Sequence, residues 1–352
     1  MGSRIACSVK DRLRPRLLNS SKYLFSDLDV DVRLHLNESP YSPPEFVINY
    51  VVGVLRQGNR YDAKLFNRFR ELLADYVGVD ISNVYPYLGG DGALRAIFYD
   101  LTEVGDKVTF VRPTYSMYDI FASIRGLHKN EVKLFECGDW WCLDLSELIN
   151  KASNSYLVVI DDPNNPTGSP LLKARRESIA RLAENVSGFL VIDETYYEFS
   201  KYTAAPLINE FPNIIVVRTL SKAFSLAGFR LGYIVGNHEV IEALSKAYTP
   251  FDIPAPSLAA GIAALENRDY FAKIVNELIS NRDYLLNGLR NLGIKAYNSL
   301  TNFILIKDSR RIKELLLTYG IAIKDLGNSY YRISVGSRDE CNKVLDVLRD
   351  VI

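Results

Sequence analysis

The residues best placed for covalent chemistry are Ser221-Lys222-Ala223-Phe224-Ser225-Leu226-Ala227-Gly228-Phe229-Arg230-Leu231-Gly232. They follow an apolar, β-branched run, Ile214-Ile215-Val216-Val217, that reads as a buried strand. A lysine just past such a strand loses solvent around its amine. That lowers the pKa and frees a lone pair for attack on an aldehyde. Eight positions on, Arg230 offers a planar fork of donors suited to a phosphate, and Ser221 adds a hydroxyl. Together they suit a cofactor that carries both an aldehyde and a phosphate. Taken alone, a Ser-Lys pair here is more commonly a helix cap followed by a solvated lysine.

Other segments weigh against that bland reading. In Tyr87-Leu88-Gly89-Gly90-Asp91-Gly92-Ala93-Leu94-Arg95, glycines open onto a helical stretch, so backbone N–H groups at a positive helix end can hold a phosphate. The alternative is a plain tight turn, and the G-x-G-x-x-G spacing of a dinucleotide site is absent. In Arg112-Pro113-Thr114-Tyr115-Ser116-Met117-Tyr118, Tyr115 at a strand exit can stack on a heteroaromatic ring, or it can be a core tyrosine under a loop. Asp161-Asp162-Pro163-Asn164-Asn165-Pro166-Thr167-Gly168 is a proline-fixed turn that holds Asn165, whose amide can donate to a phenolate oxygen. Asp193 ends Val191-Ile192-Asp193-Glu194-Thr195-Tyr196 and, if desolvated, needs a cation such as a protonated pyridine nitrogen. It also reads as a helix N-cap. Tyr196 can share the phenolate oxygen with Asn165. An aldehyde, a phosphate, a phenolate and a pyridine nitrogen meet in pyridoxal phosphate, an electron sink for removal of a substrate's α-proton.

These residues must be carried on successive strand ends. Lys107–Val111, Tyr156–Ile160, Phe189–Ile192, Asn213–Val217 and Leu231–Val235 are apolar on both faces. The segments around 115–126, 171–187 and 201–210 are long enough for crossovers, which indicates a mainly parallel sheet wrapped in helices. Ligands of such sheets gather beyond the carboxyl ends of the strands. Residues 45–56 and 64–77 have helical spacing, and Val32–Leu36 reads as a short strand. Beyond about residue 245 a long helical stretch over 257–292 leads to a strand at 302–306, a helix at 310–319 and a strand at 331–335. That pattern describes a smaller α+β domain. The expected division is an N-terminal arm over 1–45 joining the small domain, a large domain over 46–245 and the small domain over 246–352.

The 352 residues are enough for a large core and two domains. Composition is ordinary for a globular chain, at 48% hydrophobic and 24% charged. Lys+Arg and Asp+Glu are both 42, which gives no electrostatic case for nucleic acid or acidic membranes. No apolar stretch approaches the roughly 20 residues of a membrane span. Met1-Gly2-Ser3-Arg4-Ile5-Ala6 lacks an apolar signal region and a myristoylation signal, so a cytoplasmic location is expected. Cys7, Cys137, Cys142 and Cys341 contain no Cys-x-x-Cys pair, and His35, His128 and His238 lie far apart. Neither a metal site nor a disulfide framework is expected; the cysteines read as packing and surface residues in a reducing compartment.

With these motifs in order, the chain resembles the fold-type I pyridoxal-phosphate aminotransferases, and most closely the histidinol-phosphate aminotransferase family. The resemblance covers roughly residues 32–350 and adds Asn37-Glu38-Ser39-Pro40, Asn59-Arg60-Tyr61 and Tyr331-Arg332-Ile333-Ser334-Val335-Gly336 to the segments above. It implies an α/β fold with a large domain built on a mainly parallel, seven-stranded type of sheet, plus the smaller α+β domain. It implies that Lys222 binds the cofactor covalently and shuttles the proton, and that Asp193 pairs with the ring nitrogen. Asn165 and Tyr196 would contact the ring oxygen, and Tyr115 would stack. Gly90, Asp91, Ser221 and Arg230 would hold the phosphate, and Tyr61 would reach the phosphate of a partner subunit in a homodimer. Arg332 would clamp the substrate's α-carboxylate or, for histidinol phosphate, bind in the same region, and Asn37 would also face the substrate.

Two departures bear on the substrate. Where the family carries an arginine for the substrate's phosphate, Ile323-Lys324-Asp325 places a lysine, a point charge without the bidentate fork. Where the family often has Pro-Tyr, this chain has Pro15-Arg16, and Arg16 folded over the site would restore the lost donors. The expected reaction is transamination between histidinol phosphate and 2-oxoglutarate in histidine biosynthesis. An aromatic amino-acid aminotransferase, a threonine-phosphate decarboxylase and a catalytically silent binding module are the competing readings.

Overall fold

A computed structural model of the chain describes residues 8–23, 28–173 and 175–351. Cys7 and the N-terminal segment read above for targeting lie outside the described residues. In chain order the strands are β1 (Val32–Leu34), β2 (Val84–Leu88), β3 (Lys107–Arg112), β4 (His128–Lys133), β5 (Phe135–Cys137), β6 (Trp140–Cys142) and β7 (Leu157–Asp161). They continue as β8 (Phe189–Asp193), β9 (Ile214–Thr219), β10 (Leu231–Gly236), β11 (Lys295–Ala296), β12 (Phe303–Lys307), β13 (Ile321–Gly327) and β14 (Tyr330–Ser334).

Seven strands form the larger sheet in the order β2-β10-β9-β8-β7-β3-β4. β7 and β9 are buried along their whole length because helices cover both faces, which is why their sequences are unbroken apolar runs. β10 carries the same kind of run yet lies antiparallel to both β9 and β2. The Leu220–Arg230 connection explains this: it holds one short 3-10 turn, too little for the helical crossover a parallel neighbour needs. At the far edge, β4 is mostly polar, as suits a strand with one open side.

The second sheet has five strands in the order β1-β13-β14-β12-β11. β1 joins it by parallel pairing of Val32, Arg33 and Leu34 with Ile321, Ala322 and Ile323. The helical stretch expected over 257–292 is two helices, Ala255–Glu266 and Arg268–Asn291, separated at Asn267. The first is buried on nearly every side, from Ser257 to Leu265. Among the described residues no helix is long and apolar enough to cross a membrane. No group of three or more His, Cys, Asp or Glu among them could hold a metal ion.

One expectation is overturned. Cys137 and Cys142 form a disulfide across the β5–β6 hairpin, with Cα atoms 5.9 Å apart. Reading the cysteines for short metal or redox motifs overlooked the hairpin. A tight turn with Gly138 at φ +68° pairs Cys137 with Trp140 and Cys142 with Phe135, which sets the two cysteines diagonally across the hairpin and within ordinary disulfide reach. Cys341 is free and buried.

The close approach that shapes the site is that of β10 to the start of helix Gly89–Asp100. A Cβ on Gly232 would run into the backbone of Gly89 and Gly90. Gly232→Ala is expected to cost about 3 kcal/mol and lower the thermal midpoint by about 4 °C for a chain of this size. Gly53→Ala is the control, since open space surrounds that helical position and it should not lower the midpoint. Scanning calorimetry on the two variants compares them.

Candidate active site

The carboxyl ends of β2, β3, β7, β8 and β9 face β13, β14 and the arm across a cavity of about 720 Å³. Lys222, Asp193, Tyr196, Gly90, Asp91, Tyr115, Asn165, Ser221, Arg230, Arg332, Lys324 and Asn37 all line it. Parallel strands running into the cavity from one side place each polar side chain one residue beyond the apolar core.

At one end, helix Gly89–Asp100 points its first turn at the cavity with no side-chain cap at Leu88. The N–H groups of a first turn have no partner within the helix, and the helix dipole makes this end attractive to an anion. Arg230 stands beside it: a Cβ on Gly89, which has φ +73°, would come within 2.7 Å of the Arg230 guanidinium. Asp91 accepts from Arg230 Nη2 at 3.0 Å and from Tyr115 Oη at 2.9 Å. Its carboxylate therefore orients two neighbours, and what it offers an anion is its backbone N–H. Ser221 Oγ lies 2.9 Å from Thr219 Oγ1 at the same end.

Asp193 ends β8 and is buried at 4% exposure. One carboxylate oxygen accepts from Thr195 N at 3.0 Å and Thr195 Oγ1 at 2.7 Å, and the other accepts from Tyr118 Oη at 2.7 Å. Burial raises its pKa against these donors. No ion pair reaches it among the described residues; its charge is met by hydrogen-bond donors alone. Tyr118 is the partner that sequence reading missed. It lies in the quoted tyrosine motif, three residues past Tyr115, which caps helix Ser116–Arg125. One helical turn aims its hydroxyl back at Asp193.

Between these ends stand two donors. Asn165 Oδ1 accepts from Arg332 Nη1 at 2.6 Å, which leaves the Nδ2 hydrogens to offer. Tyr196 Oη accepts from Asn37 Nδ2 at 2.8 Å, which leaves its own proton to donate. Burial pushes the Tyr196 hydroxyl up to about 12. Asp161, the register partner of Asp193 on β7, accepts from Thr114 Oγ1, Asn164 Nδ2 and Asn165 N. Burial pushes it up to about 7, the Asn165 N–H pulls it back, and the Asp193 charge adds to the rise.

Lys222 donates to the Leu36 carbonyl at 3.2 Å. Burial first, then the Arg332 charge, lowers its amine to about 8. Arg332 lies opposite Lys324 in the β13–β14 pairing, two cations side by side. Desolvation and Arg332 lower Lys324 in turn. Arg332 Nε is buried with no hydrogen-bond partner among the described residues. This end of the cavity concentrates positive charge.

Two residues fall elsewhere. Arg16 packs near Gly126, outside the cavity, and the arm supplies Ser21, Lys22 and Tyr23 instead. Helix Pro15–Asn19 turns Arg16 toward helix Ser116–Arg125, a contact its sequence neighbours do not announce. Tyr61 is 84% exposed, rests on the Phe251 ring and is not part of its own chain's cavity.

A mixed seven-stranded sheet with an enclosed lysine past β9 and a buried carboxylate ending β8 is the architecture of fold-type I transferases. The chain belongs to the aminotransferase class I and II family, whose model matches residues 32–348. It is 52% identical to the histidinol-phosphate aminotransferase of Sulfurisphaera tokodaii, over 98% of this chain and 97% of that protein. It is 31% identical to histidinol-phosphate aminotransferase 2 of Archaeoglobus fulgidus, over 93% of this chain and 94% of that one. The Sinorhizobium meliloti histidinol-phosphate aminotransferase, solved in complex with pyridoxal-5'-phosphate, superposes with a TM-score of 0.86 at 24% identity, covering 97% of this chain and 98% of that chain.

An amine lowered to about 8 is mostly protonated at pH 7 and mostly neutral at pH 9. Reductive methylation of Lys222 by formaldehyde and cyanoborohydride, followed by peptide mass spectrometry, is expected to speed up across that window and level off above it. An ordinary lysine would keep accelerating past pH 10.

Proposed function

We propose that the chain is a pyridoxal-phosphate-dependent aminotransferase that exchanges the amino group of histidinol phosphate with 2-oxoglutarate, giving imidazole-acetol phosphate and glutamate. The observation that carries this reading is a single cavity holding an amine lowered to about 8, a buried carboxylate without a cationic partner and a Lys324–Arg332 cation pair. The donor set fits the cofactor. The first turn at Gly90 and Asp91, Ser221 and Arg230 would hold its phosphate; Asp193 its ring nitrogen; Asn165 and Tyr196 its ring oxygen; Tyr115 its face; and Lys222 its aldehyde. When bound, the cofactor supplies an electron sink for the α-proton of the substrate.

The chain's own residues do the rest. Lys222 Nζ, enclosed and with its pKa lowered to about 8, would take the proton from the substrate's α-carbon and return it two atoms away, a 1,3-shift across the transferred nitrogen. Asp193 stays ionised against a cation because two hydroxyls and an N–H stabilise its charge. Arg332 and Lys324 bind the phosphate of one substrate and, in the second half-reaction, a carboxylate of the other. The names of the relatives at 52% and 31% identity support this substrate choice.

The working form in this reading is a homodimer in the cytoplasm. Supporting it, Ile48, Val52 and Leu55 form an exposed apolar stripe along helix Glu45–Leu55, and Tyr61 stands out toward solvent as a residue reaching a partner's cavity would. The division in this reading is an arm over 1–45 joining a small domain over 246–352, beside a large domain over 46–245; the pairing of β1 with β13 supports it for residues 32–34, while helix Pro15–Asn19 packs on helix Ser116–Arg125 of the large domain.

Histidinol phosphate alone, added to cofactor-loaded protein, is expected to abolish the visible absorbance of the lysine-bound cofactor, and 2-oxoglutarate to restore it. Faster turnover of an unphosphorylated aromatic amine, or release of carbon dioxide, would move the assignment to the aromatic or decarboxylating relatives. Lys324→Ala is expected to raise KM for histidinol phosphate about 10- to 100-fold, the worth of a charge-assisted hydrogen bond. KM for histidinol, which lacks the phosphate, should move less than threefold in the same assay.

A further inference from the structure

We propose that Asp161 is a positioning residue for substrate binding: it fixes the Asn165 turn and, through Asn165, the guanidinium of Arg332. The inference rests on the assignment of Arg332 to substrate made above. Asp161 ends β7 at 3% exposure, in the cavity wall, and the transamination chemistry leaves it without a task.

Three donors converge on its carboxylate. Asn165 N donates to one oxygen at 2.8 Å; Asn164 Nδ2 and Thr114 Oγ1 donate to the other at 2.8 and 2.9 Å. The ionised acid accepts all three most strongly, since hydrogen bonds to a charged acceptor are shorter and stronger than neutral ones. The turn from Asp161 to Gly168 is thus pinned at its centre by one side chain.

Arg332 needs that pinning. It faces Lys324 across the β13–β14 pairing, and like charges side by side push each other away. No carboxylate holds it among the described residues. Its hydrogen bonds run to the His35 carbonyl at 2.9 Å and to Asn165 Oδ1 at 2.6 Å. Asn165 is the only side chain hydrogen-bonded to it among the described residues. A shift of the Asn165 turn therefore leaves the guanidinium held by the His35 carbonyl alone among its hydrogen bonds, free to turn about it. The chain Asp161–Asn165–Arg332 links the end of β7 to the middle of β14, one hydrogen bond at a time.

The test is Asp161→Asn, which keeps shape but removes the charge and sets an NH2 group against the donor or donors on one of the two oxygen positions. Binding of glutarate, an unreactive dicarboxylate, is measured by calorimetry on the cofactor-loaded protein, alongside KM and kcat for histidinol phosphate. The expected result is about a tenfold weaker glutarate Kd and a KM raised about tenfold, a larger change than any in kcat. In an Asn165→Ala background the same change is expected to have no further effect on Kd, since the route through Asn165 is already cut. An unchanged Kd, a loss confined to kcat, or additive losses in the double variant would each overturn the proposal. Should Asp161→Asn not fold, Thr114→Val removes one of the three donors, and an unchanged KM there would overturn it equally. A parent protein that neither binds glutarate nor turns over histidinol phosphate would instead reject the substrate assignment.

Discussion

Burying a carboxylate at the end of a β-strand costs several kcal/mol unless a cation or several donors meet it. At Asp193 the donors are present and the cation is not supplied by the described chain. Much of the large sheet can be understood as holding that charge in place. β7 and β9 flank β8 in register, the Thr195 hydroxyl folds back on one oxygen, and helix Ser116–Arg125 delivers Tyr118 to the other. Lys222 then leaves the next strand with its amine under the opposite stress, desolvated and beside Arg332. The two perturbed groups share one cavity, and the fold brings them there on adjacent strands.

The smaller sheet contributes a second unsatisfied charge of the opposite sign. Lys324 and Arg332 face each other across β13 and β14, and the segment after β1 brings the His35 carbonyl to Arg332, the Leu36 carbonyl to Lys222 and the Asn37 amide to Tyr196. In the proposed function an anionic substrate would relieve the repulsion between the two cations, a form of preorganisation in the free protein.

What could be read from the chain follows from how each residue is buried. β7, β8 and β9 are apolar on both faces, so their strands and their polar ends stand out, and Asp161, Asp193 and Lys222 with them. β4 does not stand out, because an edge strand with Val132 as its buried residue looks like a polar loop. The direction of β10 is invisible in its own composition and lies in the length of the connection before it. Tyr118 was in plain view as a letter, but its role depends on a helix starting at Ser116 and on a neighbour 75 positions away. Arg16 misled for the complementary reason: its charge suited the site, while the packing of its short helix set its direction. The disulfide escaped because a tight hairpin, rather than a cysteine motif, brings its sulfurs together.

That hairpin has a mechanical consequence. It leaves the large sheet after β4, yet Glu136 on β5 is held by Lys295, Lys307 and Tyr330 of the small sheet, and Trp141 packs against Tyr297 and Tyr330. On its other side Trp141 N donates to Ser169 Oγ, just past the asparagine turn, and Leu300 N donates to the Gly168 carbonyl. A cross-linked strut thus joins the two lobes next to the cavity floor. Any rocking of the smaller lobe must pull on the Asn164–Ser169 segment, so closure and the seating of Asn165 become one coupled movement rather than two.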